Sequence, residues 1–430
     1  MKSVSRITLI ALLACAALPG IRVSAASDAP RTASRPNFLV ILADDLGYGD
    51  LACYGHPTIR TPALDRLATQ GARFTSFYAA APVCSPSRAG LLTGRNPNRT
   101  GVYDWIPHGH PMHLPRSEIT LAHLLRRAGY ATGHFGKWHC NARFNRRQQP
   151  TPGDMGFDYW FSTQNNAAPT HHNPTNFVRN GRIVGPLEGY SCQIVADEAI
   201  GWLREQRDQP WFAYVCFHEP HEQIASPPEL VASYSSDARN ENEAAYFANV
   251  ANIDRAVERL LSALDELKLS DSTVVLFTSD NGPEALERYP RGIHCYGSPG
   301  PLRGMKLWLY EGGIRVPAIL RWPGHTRAGS VIDTPIWSLD LLPTFCAAAS
   351  VEIPHDRPID GTNVLSALAG GPVERRTPLF WIYTSALGEP QAAIREGDWK
   401  LVARLDMPPV TDDPAAPPVV EAFKRARILP

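Results

Sequence analysis

Apolar residues along this chain fall into two alternating patterns, short unbroken runs and longer stretches with helical spacing. Phe38 to Leu42 form one such run in NFLVILADD, and it ends in two carboxylates, Asp44 and Asp45. Runs of this kind are expected of strands buried on both faces. YATGHFGKWH predicts a second, shorter strand that passes into a loop. WFAYVCFHEPH predicts a third, ending in histidines, and STVVLFTSDNG a fourth, ending in acid and amide. Helices lie between them. Thr61 is placed to cap TPALDRLATQGARF, Pro62 suits its first turn, Leu64, Leu67 and Ala68 share a face, and Gly71 ends it. SEITLAHLLRRAG closes at Gly129, and Asn242 to Leu267 keep helical periodicity throughout. Strands alternating with helices predict an α/β fold, a mixed and largely parallel sheet flanked by helices on both faces.

After GGIRVPAILRWPG the pattern changes. IWSLDLLPTFCAAA predicts a helix, Pro- and Gly-rich loops follow, and AAIREGDWKLVAR alternates like an exposed strand. The division expected is a main domain over residues 36–345 and a small, short or incomplete C-terminal α+β subdomain over 350–430. At the other end, residues 1–25 resemble a secretion signal: Lys2 and Arg6, then an apolar stretch from Ile7 to Leu18, then Val23-Ser24-Ala25 as a cleavage site. That stretch falls short of the ~20 residues a membrane span requires. Leu12 to Cys15 offers an alternative, a lipoprotein box with Cys15 as the anchor. The expectation is an exported protein, periplasmic or secreted, with no stable membrane span.

Composition narrows the picture. The 430 residues carry 42 basic and 42 acidic side chains, and a net charge of zero without basic runs argues against nucleic acid as a partner. There are 39 prolines and 10 tryptophans, which suit long ordered loops over a rigid scaffold. Apart from Cys15 and Cys84, six cysteines remain (Cys53, Cys140, Cys192, Cys216, Cys295, Cys346); no CxxC pair points to zinc, and free thiols and disulfides both stay open.

Ligands of parallel sheets bind beyond the carboxyl ends of the strands. Four predicted strands deliver polar groups there: Asp44 with Asp45, Lys137 with His139, His218 with His221, and Asp280 with Asn281. The acids and the amide supply only oxygen, which suits Ca²⁺ or Mg²⁺. In APVCSPSRAGLLTGR, Ser85 can cap a helix with Pro86 at its first position and Gly94 at its close. Cys84 then sits just before the first turn and Arg88 within it, facing one pocket at a helix N-terminus, where phosphate or sulfate is favoured. A thiolate is a poor partner for a hard cation, so Cys84 fits this set only if oxygen replaces its sulfur.

CSPSRAGLLTGR resembles the C-x-P-x-R signature of type I sulfatases, in which the cysteine is oxidised to formylglycine. ADDLGYGD, GHFGKWH, the PH of FHEPHEQ, SDNG and GMKLWLYEGGIRVPAILRWPG agree with that family in order, over residues 36 to 325. The resemblance implies an alkaline-phosphatase-like fold and an arylsulfatase or N-acetylgalactosamine-sulfatase type of activity. It implies that Cys84 becomes a hydrated aldehyde which, with Asp44, Asp45, Asp280 and Asn281, binds Ca²⁺ (or Mg²⁺) and attacks sulfur. Arg88 would hold that diol, Lys137 and Lys306 would bind sulfate oxygens, and His221 would protonate the leaving alcohol. His139 would then take a proton from the second diol oxygen so that sulfate is expelled. His218 is the other histidine of that loop and is placed to pack or to touch substrate, and Asn165 or Asn166 lies where relatives place a polar group near sulfate. Gly312 and Gly313 suit close backbone approach, and Arg315 suits an ion pair.

A maturation enzyme that makes formylglycine is an implied partner. Trp105, His108, His110, His171, His172, His294 and Arg303 sit in loops that suit a sugar ring, which favours sulfated polysaccharide or glycosaminoglycan fragments as substrates. Two alternatives compete: a phosphonate or phosphodiester hydrolase of the same superfamily, and a secreted glycan-binding homologue without turnover.

Overall fold

The computed structural model of the protein describes residues 35–284, 295–384 and 390–405. The expected signal at 1–25 with Cys15, His294, and the part of the C-terminal subdomain beyond 405 lie outside them. The strands are β1 (Asn37–Ala43), β2 (Ala72–Phe74), β3 (Phe77–Tyr78), β4 (Ala131–Lys137), β5 (Tyr159–Thr163), β6 (Val178–Arg179), β7 (Arg182–Ile183), β8 (Trp211–Cys216), β9 (Thr273–Ser279), β10 (Ala318–Arg321), β11 (Ser330–Ile332), β12 (Ile336–Trp337), β13 (Leu379–Tyr383), β14 (Gln391–Glu396) and β15 (Trp399–Arg404). Ten of them form one sheet in the order β11-β2-β10-β9-β1-β8-β4-β5-β6-β7. Its centre is parallel from β9 through β1, β8 and β4 to β5. β10 runs antiparallel to β9 and β2, and the β6–β7 hairpin closes the other edge antiparallel to β5.

The unbroken apolar runs have the two-sided burial they predict. In β1, Leu39, Ile41 and Ala43 face the core under the Pro62–Gln70, Ser191–Gln206 and Glu241–Glu266 helices, whereas Phe38, Val40 and Leu42 face the opposite core with the Leu121–Arg127 and Leu341–Ala348 helices. Each fully buried aliphatic side chain of this kind contributes about 1.5–3 kcal/mol.

Several local expectations need correction. Thr61 stands at the helix start, but its hydroxyl accepts from Ala52 N (3.0 Å) and caps nothing. Asp254 does so from another helix, accepting from Ala63 N at 3.0 Å and Leu64 N at 2.8 Å. The helix of the cysteine motif runs Cys84–Thr93 with Val83 at its N-cap. Cys84 is therefore its first residue, and Ser85, inside the first turn, accepts from Ile106 N (3.1 Å) instead of capping. Gly94, at φ 65°, ends this helix as expected. The helix read from IWSLDLLPTFCAAA is shorter: Ile336 and Trp337 pair with β3, and Leu341–Ala348 alone is α-helical. AAIREGDWKLVAR is a hairpin, β14 and β15, that turns at Gly397 (φ 56°).

β13, β14 and β15 form a separate antiparallel sheet. Its inner residues Leu379, Trp381, Tyr383 and Ala393 share a cluster with Tyr78, Cys84, Trp337 and Leu339, so this sheet backs the start of the Cys84 helix. All seven cysteines among the described residues are free. No helix of the described residues is long and apolar enough to cross a membrane.

Candidate active site

The parallel sheet itself assembles the acidic groups. Ala43 is in register with Ser279, so the next residues of the two strands, Asp44 and Asp280, emerge side by side. Asp45 takes a left-handed backbone (φ 63°), uncommon without a glycine, and its N–H donates to Asp280 Oδ1 at 3.2 Å. Asn281 Nδ2 donates to Asp45 Oδ1 at 2.7 Å.

Cations arrive from three other elements. Lys137 ends β4, where Gly136 (φ 96°) passes so close to β8 that a Cβ would lie 1.9 Å from Cys216 O. That approach delivers Lys137 Nζ to Asp44 Oδ2 at 2.5 Å. Arg88 reaches from the first turns of its helix: Nε and Nη2 lie 2.8 and 2.7 Å from Asp280 Oδ2, and Nη1 donates to Lys137 O at 2.9 Å. Lys306 Nζ lies 2.7 Å from Asp45 Oδ2 and 3.1 Å from Glu284 Oε2. The Cys84 sulfur lies within 4.8 Å of carboxylate oxygens of Asp44 and Asp280, and also within 4.8 Å of an Asp45 oxygen and a His221 ring nitrogen. The expected cysteine, acids, amide, arginine and lysines thus meet in one buried cluster.

Residues 36–351 match the family model described as Sulfatase, and residues 305–408 match the model described as N-sulphoglucosamine sulphohydrolase, C-terminal. The chain is 37% identical over 381 residues to the N-acetylgalactosamine-6-sulfatase of Homo sapiens, covering 83% of this chain and 69% of that protein. It is 33% identical to the steryl-sulfatase of Rattus norvegicus, over 80% of this chain and 72% of that one. Among solved structures, Ps i-CgsB in complex with k-i-k-neocarrahexaose superposes with a TM-score of 0.79 at 30% identity, covering 87% of this chain and 84% of that chain. The chain belongs to the type I sulfatase family. With that, its alkaline-phosphatase-like α/β fold and its activity as a sulfuric ester hydrolase follow.

The charges of this sulfatase nearly cancel within the cluster. Burial opposes ionisation of Asp45, but Lys306, His221 and Lys137 outweigh it and hold its carboxyl below the usual range. Burial pushes Asp280 up to about 6, with Arg88 pulling the other way and Asp44 adding to the rise. Burial also pushes the Cys84 thiol up to about 12 against the pull of Lys137 and Lys306. An unmodified Cys84 is therefore a neutral thiol at neutral pH, neither a nucleophile nor a ligand for a hard cation.

The donor set fits a hard divalent cation. Two oxygens, Asp44 Oδ1 and Asn281 Oδ1, are buried without a hydrogen-bond partner among the described residues, the former with only Arg88 Nη2 at 3.6 Å. Buried polar atoms are rarely left so, and an oxygen-ligating ion satisfies both. Four carboxylates, Asp44, Asp45, Asp280 and Glu284, face three cationic side chains, so an added divalent cation still leaves excess positive charge for an anionic ester.

The histidines of the sulfatase differ in what they are free to do. His139 Nε2 lies 3.1 Å from Ile106 O, an acceptor, so Nε2 carries the proton and buried Nδ1 is left as an unpartnered acceptor. His221 Nδ1 donates to Glu222 O at 2.5 Å, leaving Nε2 turned to Asp45 Oδ2 at 3.5 Å. His218 is fully buried, its ring edge-on to Phe177 and Nε2 bonded to Thr163 Oγ1 at 2.8 Å. Asn166 Nδ2 ties its loop to Glu222 O at 2.8 Å, beside His221, while Asn165 O accepts from Thr163 Oγ1 at 2.6 Å. Both asparagines keep a buried Oδ1 that has no partner among the described residues.

Sequence reasoning missed Glu284, although SDNGPE places it four residues after Asp280, and missed Thr163, which carries no sequence signal. It also placed His171 toward sugar, whereas that ring is fully buried, bonded to Asn249 Nδ2 at 3.3 Å and facing Glu219. His172 stacks on Tyr190, and Arg303 lies over the Tyr310 ring. Gly312 and Gly313 do pass close to backbone, with hypothetical Cβ atoms 2.0 Å from Gly304 O and Trp308 O. Arg315 pairs with Glu311 at 3.3 Å.

Proposed function

We propose that this sulfatase cleaves sulfate esters of sulfated polysaccharide or glycosaminoglycan fragments outside the cytoplasm, with residue 84 in its formylglycine form. One observation carries the reading: Cys84, a hard oxygen donor set and a complete group of anion-binding and proton-transfer side chains converge at the carboxyl ends of β1, β4, β8 and β9. The human and rat relatives named above are an N-acetylgalactosamine-6-sulfatase and a steryl-sulfatase by their names, and Ps i-CgsB was solved with k-i-k-neocarrahexaose.

Asp44, Asp45, Asp280 and Asn281 would hold Ca²⁺ or Mg²⁺, which would supply Lewis-acid polarisation and charge neutralisation at the ester. Formylglycine would supply two oxygens on one carbon, one to attack sulfur and one to lose the proton that lets sulfate go. A serine, with one oxygen, has no such exit.

The chain's own side chains do the rest. Arg88 is fixed by three contacts and holds Asp280 and the β4 terminus rigid beside residue 84. Lys137 and Lys306 bind the anionic ester oxygens, exchanging part of their present pairing with Asp44 and Asp45 for substrate. His221 faces the site with Nε2 and protonates the departing alcohol only as imidazolium; burial lowers its pKa to about 4 while Asp45 opposes the shift, so the acid form is one that the charge of the bound ester has to favour. His139, with Nδ1 unprotonated, accepts the proton that frees sulfate. His218 orients the loop from inside, tied to Thr163. Asn165 and Asn166 border the same loop and offer their free Oδ1 atoms to a substrate hydroxyl. Export, a formylglycine-generating maturation partner, and the residue 36–345 and 350–430 division belong to the same proposal.

The test is hydrolysis of 4-nitrophenyl sulfate against the matching phosphate monoester and diester, with chelator and then with Ca²⁺ or Mg²⁺ restored. Sulfate turnover that a chelator abolishes and the ion restores supports the proposal. Preferential phosphate-diester turnover favours the phosphonate or phosphodiester alternative, and binding of sulfated glycan with no turnover favours the non-catalytic one.

A further inference from the structure

In two loops beside the site, residues 101–120 and 138–158, the acids Asp104, Glu118, Asp154 and Asp158 lie outside the stretches 105–116 and 139–149, which carry none. Together they carry Arg116, Arg143, Arg146 and Arg147, with His108, His110 and His113. The loops are stitched into one plate. Gly109 N donates to Ala142 O at 3.2 Å, Leu114 N to Cys140 O at 2.9 Å, and Gln149 Nε2 to His110 O at 2.8 Å.

The plate is rooted in the site. Ile106 N donates to the hydroxyl of Ser85, the neighbour of Cys84, at 3.1 Å, and Ile106 O accepts from His139 at 3.1 Å. Trp105, 41% exposed, sets its ring edge-on to His139 at 6.1 Å. The tip of the second loop rests on the sheet edge, with Phe144 edge-on to Trp160 at 5.6 Å and Asn145 Nδ2 donating to Gly181 O at 3.0 Å, and Arg116 is neutralised by Asp154. Arg143, Arg146 and Arg147 are exposed, and none has a carboxylate partner among the described residues. Arg143 is four residues from His139, so its Cα lies no more than about 14 Å from that of His139.

We infer that this plate binds the anionic groups of a sulfated oligosaccharide beyond the sugar being cleaved, with Trp105 as the platform for a ring next to the site. The inference rests on the proposed function and narrows its substrate class to chains with several sulfates or carboxylates. Guanidinium forks match both groups. Single exposed ion pairs are weak, so only a ligand long enough to engage several gains from the plate. On this inference a short monosulfated ligand engages the catalytic cluster and gains nothing from the arginines.

The experiment uses the full chain in a Cys84→Ala background, which holds ligand without turning it over. Binding of size-defined chondroitin 6-sulfate and ι-carrageenan fragments, disaccharide to hexasaccharide, is measured by calorimetry at low and moderate salt. For at least one series, affinity should rise about tenfold from disaccharide to hexasaccharide. Arg146→Ala with Arg147→Ala should remove most of that gain, leave the disaccharide within about twofold, and flatten the salt dependence. Absence of a length effect in both series overturns the inference. So does a double variant that binds hexasaccharide like its parent, or one that loses both lengths equally. Nitrophenyl sulfate turnover by the intact enzyme is read separately and bears only on the proposed function.

Discussion

Replacing Gly282 by alanine puts a methyl group where the structure has no room. The new Cβ would lie 1.9 Å from Gly312 O and 3.0 Å from Gly313 Cα, while Gly282 N now donates to Gly313 O at 3.0 Å. An ordinary carbon–oxygen contact is about 3.2 Å or more, so the two backbones must part by roughly 1.3 Å. Neither is a flexible side-chain end that can swing away. Overpacking of this kind costs about 1–3 kcal/mol, and losing the hydrogen bond about 1 more. Asn281 and Asp280 immediately precede Gly282, so the parting shifts the proposed cation ligands by a similar distance. A misplacement near 1 Å is worth about 100-fold in rate. Gly282→Ala is therefore expected to unfold several degrees lower and to lose about 100-fold in turnover of 4-nitrophenyl sulfate. Gly201→Ala is the control, because its Cβ meets nothing within 4 Å on the exposed side of the Ser191–Gln206 helix. It should be neutral or gain up to about 1 kcal/mol. If Gly282→Ala matches the parent in both melting and turnover, the steric argument that links this backbone to the ligands is wrong.

Other perturbations separate the proposed roles. His221→Ala should slow sugar sulfates by roughly 10²–10⁴-fold while sparing nitrophenyl sulfate, whose leaving group needs little protonation; equal loss on both moves the acid role to another group. Arg88→Lys gives up the fork on Asp280 and the bond to Lys137 O, losing charge-assisted hydrogen bonds of about 1.5–3 kcal/mol each, and a variant with unchanged melting and kcat would show the fork to be dispensable. His134, fully buried with Nδ1 2.7 Å from Ser162 Oγ, is held neutral by burial down to about 3. Its folded value lies below its unfolded one, so its contribution is complete above about 6.5 and is lost as pH falls from there toward 3. Relative to His134→Leu, the parent should lose about 1.4 kcal/mol per pH unit below 6.5 in denaturant titrations, and parallel curves would contradict this.

Buried parallel strands were legible because two-sided burial demands unbroken apolar runs, and the groups that end those runs had to share one sheet edge. The cysteine motif was legible as chemistry but not in its cap. Val83, Cys84 and Ser85 all precede or enter the turn, and only the tertiary bond from Ile106 N decides what Ser85 does. Asp254 capping a helix almost two hundred residues away leaves no local trace. The β14–β15 hairpin was hidden because EGDW reads as polar positions of one alternating strand, until Gly397 with its positive φ marks the turn. His171 looked like a loop residue because nothing local records Asn249 and Glu219 folding over it.

The central claim concerns the chemical state of one residue. Mass spectrometry of the peptide containing residue 84, on fractions of purified enzyme ranked by specific activity toward 4-nitrophenyl sulfate, reads that state directly. Activity should rise in proportion to the share of formylglycine and extrapolate to zero where only cysteine is present. Full activity in a fraction whose residue 84 is an intact thiol would contradict the account.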